Sequence, residues 1–269
     1  MHAGALRSCS PAQGAGNMFY RRRGQGPVLI LLHGFASSSL FWADLMDRLG
    51  TRFDVIAPDW PGFGATPDAV PYASLAEFNT GLIGLADELG LARFHVLGHS
   101  MSGFVVQALL CDHAARLDKA VLYGAGLSVN KARRFETVAE TLRKLQAEGV
   151  DATVKRVVAS WFADTASQAQ AHRLCLEAGR GMAAPAAAAA IQAMEHADFT
   201  GRLRQIHTPT LVMAGEAERS HPPPSALELQ RAMGNAHLCL LPFCGHAAHL
   251  EQPEWFAEIL LHFLQRKDR

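Results

Sequence analysis

Uninterrupted apolar stretches are short throughout this 269-residue chain. None reaches the ~18 residues that a membrane-spanning helix needs, so such a helix is excluded and no membrane partner is expected. Charge of one sign is equally scarce. There are 25 Lys+Arg against 25 Asp+Glu, and no basic run exceeds Arg21-Arg22-Arg23, which excludes a general nucleic-acid binder. Cysteine is sparse, odd in number and scattered: Cys9, Cys111, Cys175, Cys239 and Cys244. No Cys-x-x-Cys occurs, and Cys239/Cys244 has neither zinc-finger spacing nor a second pair, so no metal is expected. The cysteines read as reduced, buried small hydrophobes, and a cytoplasmic location follows as the default. Residues 1–16 lack the apolar core of a signal peptide and are expected to be partly frayed.

What is present is ordinary globular composition, 49% hydrophobic and 19% charged, which rules out a disordered or collagen-like chain. The length suits one large α/β domain or two small ones. Val28–Leu32 is a continuous apolar run, and it and the candidate strands at 53–57, 94–97, 117–123, 210–214 and 237–241 each stop at glycine or proline or beside one. Runs of this kind are strands buried on both faces, as in a parallel sheet. Helical periodicity fills 41–49, 75–89, 103–113, 226–233 and 253–265, the last with Phe256, Ile259, Leu260 and Phe263 as its apolar stripe. Strand alternating with helix predicts a mostly parallel sheet flanked by helices. Between 127 and 204 the alternation stops. Phe135, Val138, Leu142 and Leu145 share one helical face, 152–162 forms a second stretch, and Pro185 opens an alanine-rich third. The expected organisation is a discontinuous core, 1–126 and 205–269, with a helical lid at 127–204.

Gly98-His99-Ser100-Met101-Ser102-Gly103 follows a strand and precedes a helix, the context of a nucleophile elbow. The turn needs small residues around the serine. Ser102 replaces the motif's second glycine, with slightly looser helix–strand packing as the expected result. A serine hydroxyl needs a base, and the base needs an orienting carboxylate. His246, after the last strand, is the candidate base; His249 is a competitor at the start of a helix. Glu218, three residues beyond Gly215, is the candidate acid, with Glu216 as the alternative; Gly124-Ala125-Gly126-Leu127 offers none. The developing oxyanion requires two backbone N–H groups, expected from Met101 and Phe35. Gly34, His99 and Trp161 are expected to border the substrate pocket.

These segments together resemble the α/β-hydrolase superfamily, serine-nucleophile branch. The likeness runs from Gly24 onward through His33-Gly34-Phe35, Asp59-Trp60-Pro61-Gly62-Phe63-Gly64, the elbow, Gly215…Glu218 and Gly245-His246…Glu251-Gln252-Pro253. The lid is similar to that of 3-oxoadipate enol-lactonases and related esterases, through Arg134-Phe135-Glu136, Glu148-Gly149-Val150, Trp161-Phe162 and residues 189–194. The chain departs from the family pattern in three ways. Glutamate stands at 218 for the usual aspartate, serine stands at 102 for glycine, and one strand precedes Val28 where relatives often have two.

The resemblance implies an α/β-hydrolase fold with its helical lid after the sixth strand. It also implies hydrolysis of a small-molecule ester or lactone through an acyl-enzyme on Ser100, with no cofactor. A C–C bond hydrolase of ring-cleavage products and a non-catalytic small-molecule binder are the rival readings. Seven Lys/Arg against four Asp/Glu between Lys131 and Arg156 lean toward an anionic substrate. Oligomeric state leaves no trace in the sequence.

Overall fold

The computed structural model describes residues 6–9, 18–129, 136–195 and 197–266. Among the described residues eight strands form one sheet: β1 (Leu6–Cys9), β2 (Met18–Arg23), β3 (Val28–Leu32), β4 (Asp54–Pro58), β5 (Phe94–His99), β6 (Leu117–Tyr123), β7 (Thr210–Gly215) and β8 (Ala236–Leu241). Their spatial order is β1-β2-β4-β3-β5-β6-β7-β8. From β4 to β8 every pair is parallel, while β1 and β2 form an antiparallel edge. The six central and C-terminal strands read from the sequence are present within a residue or two. The reading of a single strand before Val28 is corrected, because Leu6–Cys9 pairs with Met18–Arg23. That strand has four residues, too few for a two-residue alternation to stand out. Leu6–Cys9 is therefore not frayed, and the rest of 1–16 lies outside the described residues.

The helices are α1 (Ala43–Leu49), α2 (Leu75–Glu88), α3 (Met101–Asp112), α4 (Val138–Ala159), α5 (Ala169–Gly179), α6 (Ala184–Glu195), α7 (Pro223–Ala232), α8 (Ala248–Glu251) and α9 (Pro253–Gln265). Among the described residues no helix is long and apolar enough to cross a membrane. α1 packs on α9, and α2 packs on α3, which lies against β5. Residues 101–110 of α3 are all buried, which is why this helix shows no polar stripe. The 3-10 turn Ser39–Trp42 leads into α1 and buries Phe41 and Trp42.

Among the described residues three α-helices separate β6 from β7. α4 leaves helical geometry at Gly149 (φ 82°, ψ 178°), so its halves match the two helical stretches read from the sequence. Phe135 lies outside the described residues. α5 was not anticipated: the residues it buries are Cys175, Ala178 and Gly179, too small to write an apolar stripe. The excursion closes on itself where Ser128 and Asp198 form an isolated antiparallel bridge.

Parallel register aligns the carboxyl ends of the central strands: Leu32 faces Gly98, His99 faces Tyr123, Tyr123 faces Met213 and Gly215 faces Leu241. The loops that follow these ends therefore gather at one edge, where open α/β sheets place their ligand crevices.

Candidate active site

Ser100 sits between β5 and α3 with φ 52° and ψ −114°, a conformation that non-glycine residues adopt only under constraint. Its backbone N–H donates to the Tyr123 carbonyl at 2.8 Å, and its carbonyl accepts from Gly103 N–H at 2.9 Å. The side chain is thereby lifted to the wall of a cavity of about 40 Å³, room for a few water molecules. Phe35, Met101, Trp161 and His246 line the same cavity. Ser100 and His246 face it together without a direct hydrogen bond, a looseness common before substrate binds.

His246 is held at both ends. Its Nδ1 lies 2.5 Å from Glu218 Oε2, with both side chains buried. The other carboxylate oxygen of Glu218 accepts backbone N–H groups from Ser220 at 2.6 Å and His221 at 3.2 Å. Glutamate fits a place where aspartate is usual because the loop folds back over its own carboxylate. The His246 carbonyl accepts the Tyr123 hydroxyl at 2.8 Å and His99 Nε2–H at 3.0 Å. Gly124 leaves the space that the pair occupies. Its φ is +59°, and a Cβ there would stand 3.1 Å from His246 Nδ1 and 3.2 Å from Glu218 Oε2.

The alternatives lie elsewhere. His249 is buried against Phe41 and Trp42, its Nε2 3.1 Å from the Phe41 carbonyl, and burial pushes its pKa down to about 3. Glu216 is exposed and accepts Phe243 N–H at 3.3 Å. A third carboxylate, Glu251, buried and with its pKa raised by burial, accepts Gly245 N–H at 2.6 Å and Ala163 N–H at 2.9 Å. It ties the His246 loop to the turn after α4, which also receives Ala247 N–H at the Trp161 carbonyl.

Met101 opens α3, so its N–H is among the first-turn donors that lack an intrahelical acceptor. Of the residues expected to border the pocket, Trp161 does. Gly34 and His99 are not among the residues that line the cavity. Gly34 runs so close to the elbow that a Cβ would lie 3.0 Å from Ser100 Cβ, and His99 is wholly buried behind His246. Burial holds the His99 imidazole well below its usual pKa, hence neutral. Looser packing at Ser102 is not observed: the side chain is fully buried and its hydroxyl bonds the His33 carbonyl.

Sequence reasoning did not find the remaining wall. Thr141, Val157, Ile191 and Met194 come from α4 and α6, and Ser220 and His221 from the loop bearing Glu218. The helical residues carry no signal beyond apolar spacing, whereas Ser220 and His221 could have been inferred from their nearness to Glu218. Among the described residues of 131–156, no lysine or arginine lines this wall. Lys144 and Arg156 converge on buried Glu136, at 2.7 and 3.4 Å, and Lys131, Arg133 and Arg134 lie outside the described residues.

Comparison with known proteins agrees with this architecture. A putative carbamate hydrolase, RutD, from Pseudomonas savastanoi pv. phaseolicola is 31% identical over 88% of this chain and 93% of its own length. A 2-hydroxy-6-oxononadienedioate/2-hydroxy-6-oxononatrienedioate hydrolase from Burkholderia vietnamiensis is 29% identical over 92% and 90%. The fold of the enol-lactonase from Burkholderia xenovorans LB400 superimposes with a TM-score of 0.85 at 22% identity, covering 93% of this chain and 97% of that one. The alpha/beta hydrolase family model matches residues 29–259, the span that holds the elbow, the glutamate loop and the histidine loop. With parallel sheet, serine turn and histidine–glutamate pair in that family's order, this chain belongs to the alpha/beta hydrolases.

Proposed function

We propose that the protein is a serine hydrolase that cleaves a small carboxylic ester or lactone. The observation that carries the reading is the serine on a strained turn, facing one cavity with an imidazole whose far nitrogen is held by a buried carboxylate. Glu218 accepts from Nδ1–H, which leaves His246 Nε2 free to take a proton. In the first step the Ser100 oxygen bonds the substrate carbonyl carbon and its proton passes to His246. The Phe35 and Met101 N–H groups meet the oxyanion, the carbonyl re-forms, and the bond to the leaving alcohol breaks as His246 returns the proton to it. Water, deprotonated by the same histidine, then adds to the acyl carbon, and the acid is released as the bond to Ser100 breaks and His246 returns the proton to the serine oxygen. The small cavity favours a short acyl group, and the helices after β6 act as its cover.

C–C bond hydrolysis is the second reading, favoured by the named activity of the 29% identical relative. The carbamate named for the 31% identical relative is a third candidate for the same nucleophile. A fluorophosphonate probe tests the common core: a single adduct on Ser100 is expected, and folded protein that stays unlabelled refutes it. A screen over p-nitrophenyl esters of rising chain length, lactones, carbamates and a vinylogous diketone separates the three. Turnover highest on short esters or lactones is the expected result, and turnover confined to the diketone or the carbamates overturns it.

A further inference from the structure

Ser102 stands where the family motif usually carries glycine, and its hydroxyl is engaged on both sides. It donates to the His33 carbonyl at 2.5 Å and accepts the Trp60 indole N–H at 3.0 Å. Ser102 lies one residue beyond Met101 in the first turn of α3, and His33 lies two residues before Phe35. The bond thus spans the two backbone segments that carry the candidate oxyanion donors. We propose that Ser102 is a positioning residue that couples the elbow to the His33–Phe35 loop and so sets the spacing of the oxyanion hole.

The surroundings support this role. The Trp60 indole N–H also reaches the His33 carbonyl, at 3.3 Å, and braces it from a second side. His33 Nε2 accepts Trp60 N–H at 3.1 Å, so its Nδ1 carries the proton and donates to the Gly34 carbonyl at 2.9 Å. Both peptide groups ahead of Phe35 are therefore pinned by side chains. Oxyanion stabilisation depends on donors set in place before charge develops, so a loosened spacing acts on the transition state more than on the bound substrate.

The inference rests on the serine-hydrolase reading, and its test separates the two. Ser102→Ala and Ser102→Gly are assayed on p-nitrophenyl acetate and against a trifluoromethyl ketone. Ser100 oxygen adds to that ketone's carbonyl carbon, the π pair becomes the oxyanion, and the serine proton goes to His246. Removing a whole donor costs about 10²–10³ in kcat, and displacing one is expected to cost about tenfold. KM should stay within about twofold, and inhibition by the ketone should weaken by the factor lost from kcat. Unchanged kcat and ketone inhibition per folded molecule, or a loss confined to KM, overturns the proposal. Ser102→Gly decides the matter should the alanine variant fail to fold, since glycine is the residue the motif usually holds there. Wild-type protein that resists fluorophosphonate refutes the hydrolase reading itself and takes this inference with it.

Discussion

Replacing Glu218 by glutamine should stop turnover without unfolding the protein. In the native site one carboxylate oxygen accepts two backbone N–H groups, from Ser220 and His221, and the other accepts His246 Nδ1–H. A glutamine amide has a single oxygen. It must face the two backbone donors, because the reverse orientation leaves three donor groups together with no acceptor. The amide NH₂ then points at Nδ1, forcing the imidazole proton onto Nε2, where it blocks uptake of the serine proton. A wrong tautomer at an equivalent pair costs about 10⁴ in kcat, or roughly 5 kcal/mol. Thermal stability should change little, since the two backbone bonds persist. Steady-state hydrolysis, a thermal melt and nitrogen NMR of the His246 ring make the assay. A folded Glu218→Gln enzyme within tenfold of wild type, or one whose Nδ1 still carries the proton, refutes the reasoning.

Gly124→Ala combines a positive φ, worth about 1–2 kcal/mol, with pressure on the His246–Glu218 pair. A Tm lower by about 2–8 °C is expected, together with reduced kcat; calorimetry and kinetics at one temperature check both. Glu251→Ala leaves two N–H groups, those of Gly245 and Ala163, without their acceptor, a loss of roughly 2–6 kcal/mol readable in a urea titration. A shift below about 1 kcal/mol would remove the clamp from consideration. His99 and His249 are neutral in the fold because burial lowers their pKa values, that of His249 to about 3. The unfolded chain takes up these protons near pH 6.5, so stability is full above that pH. For each histidine it falls by about 1.4 kcal/mol per pH unit on acidification, for His249 down to about pH 3. His249→Asn should show a shallower loss between those limits in pH-dependent melts.

The sheet was legible because a strand buried on both faces is written as an apolar run, as Val28–Leu32 shows, and because the other strands stop at glycine or proline. The elbow and the histidine loop were legible because tight turns demand small residues at set spacing. Short or small-residue elements were not. Leu6–Cys9 earns its place only through the partner Met18–Arg23, and α5 buries a cysteine, an alanine and a glycine. His99 was read as pocket because it adjoins Ser100 in sequence, but alternation along β5 turns it into the interior beneath His246. The pocket wall from α4 and α6 is a matter of which apolar side chains the tertiary fold exposes, and one sequence does not record that. Ser102 was visible as a departure, yet its partner His33 is 69 residues away.

The arm that carries Glu218 also supplies Ser220 and His221 to the cavity wall, and their backbone N–H groups hold the carboxylate. On that flank, the lining of the cavity and the hold on the His246 ring depend on the same three residues. Val157, Ile191 and Met194, contributed from the opposite bank by α4 and α6, touch neither Glu218 nor the loop that holds it through any hydrogen bond. Diversification of this cavity, whether by natural drift or in the laboratory, is therefore channelled to one side. The helical bank can be rewritten one side chain at a time, while the glutamate arm must be exchanged as a whole.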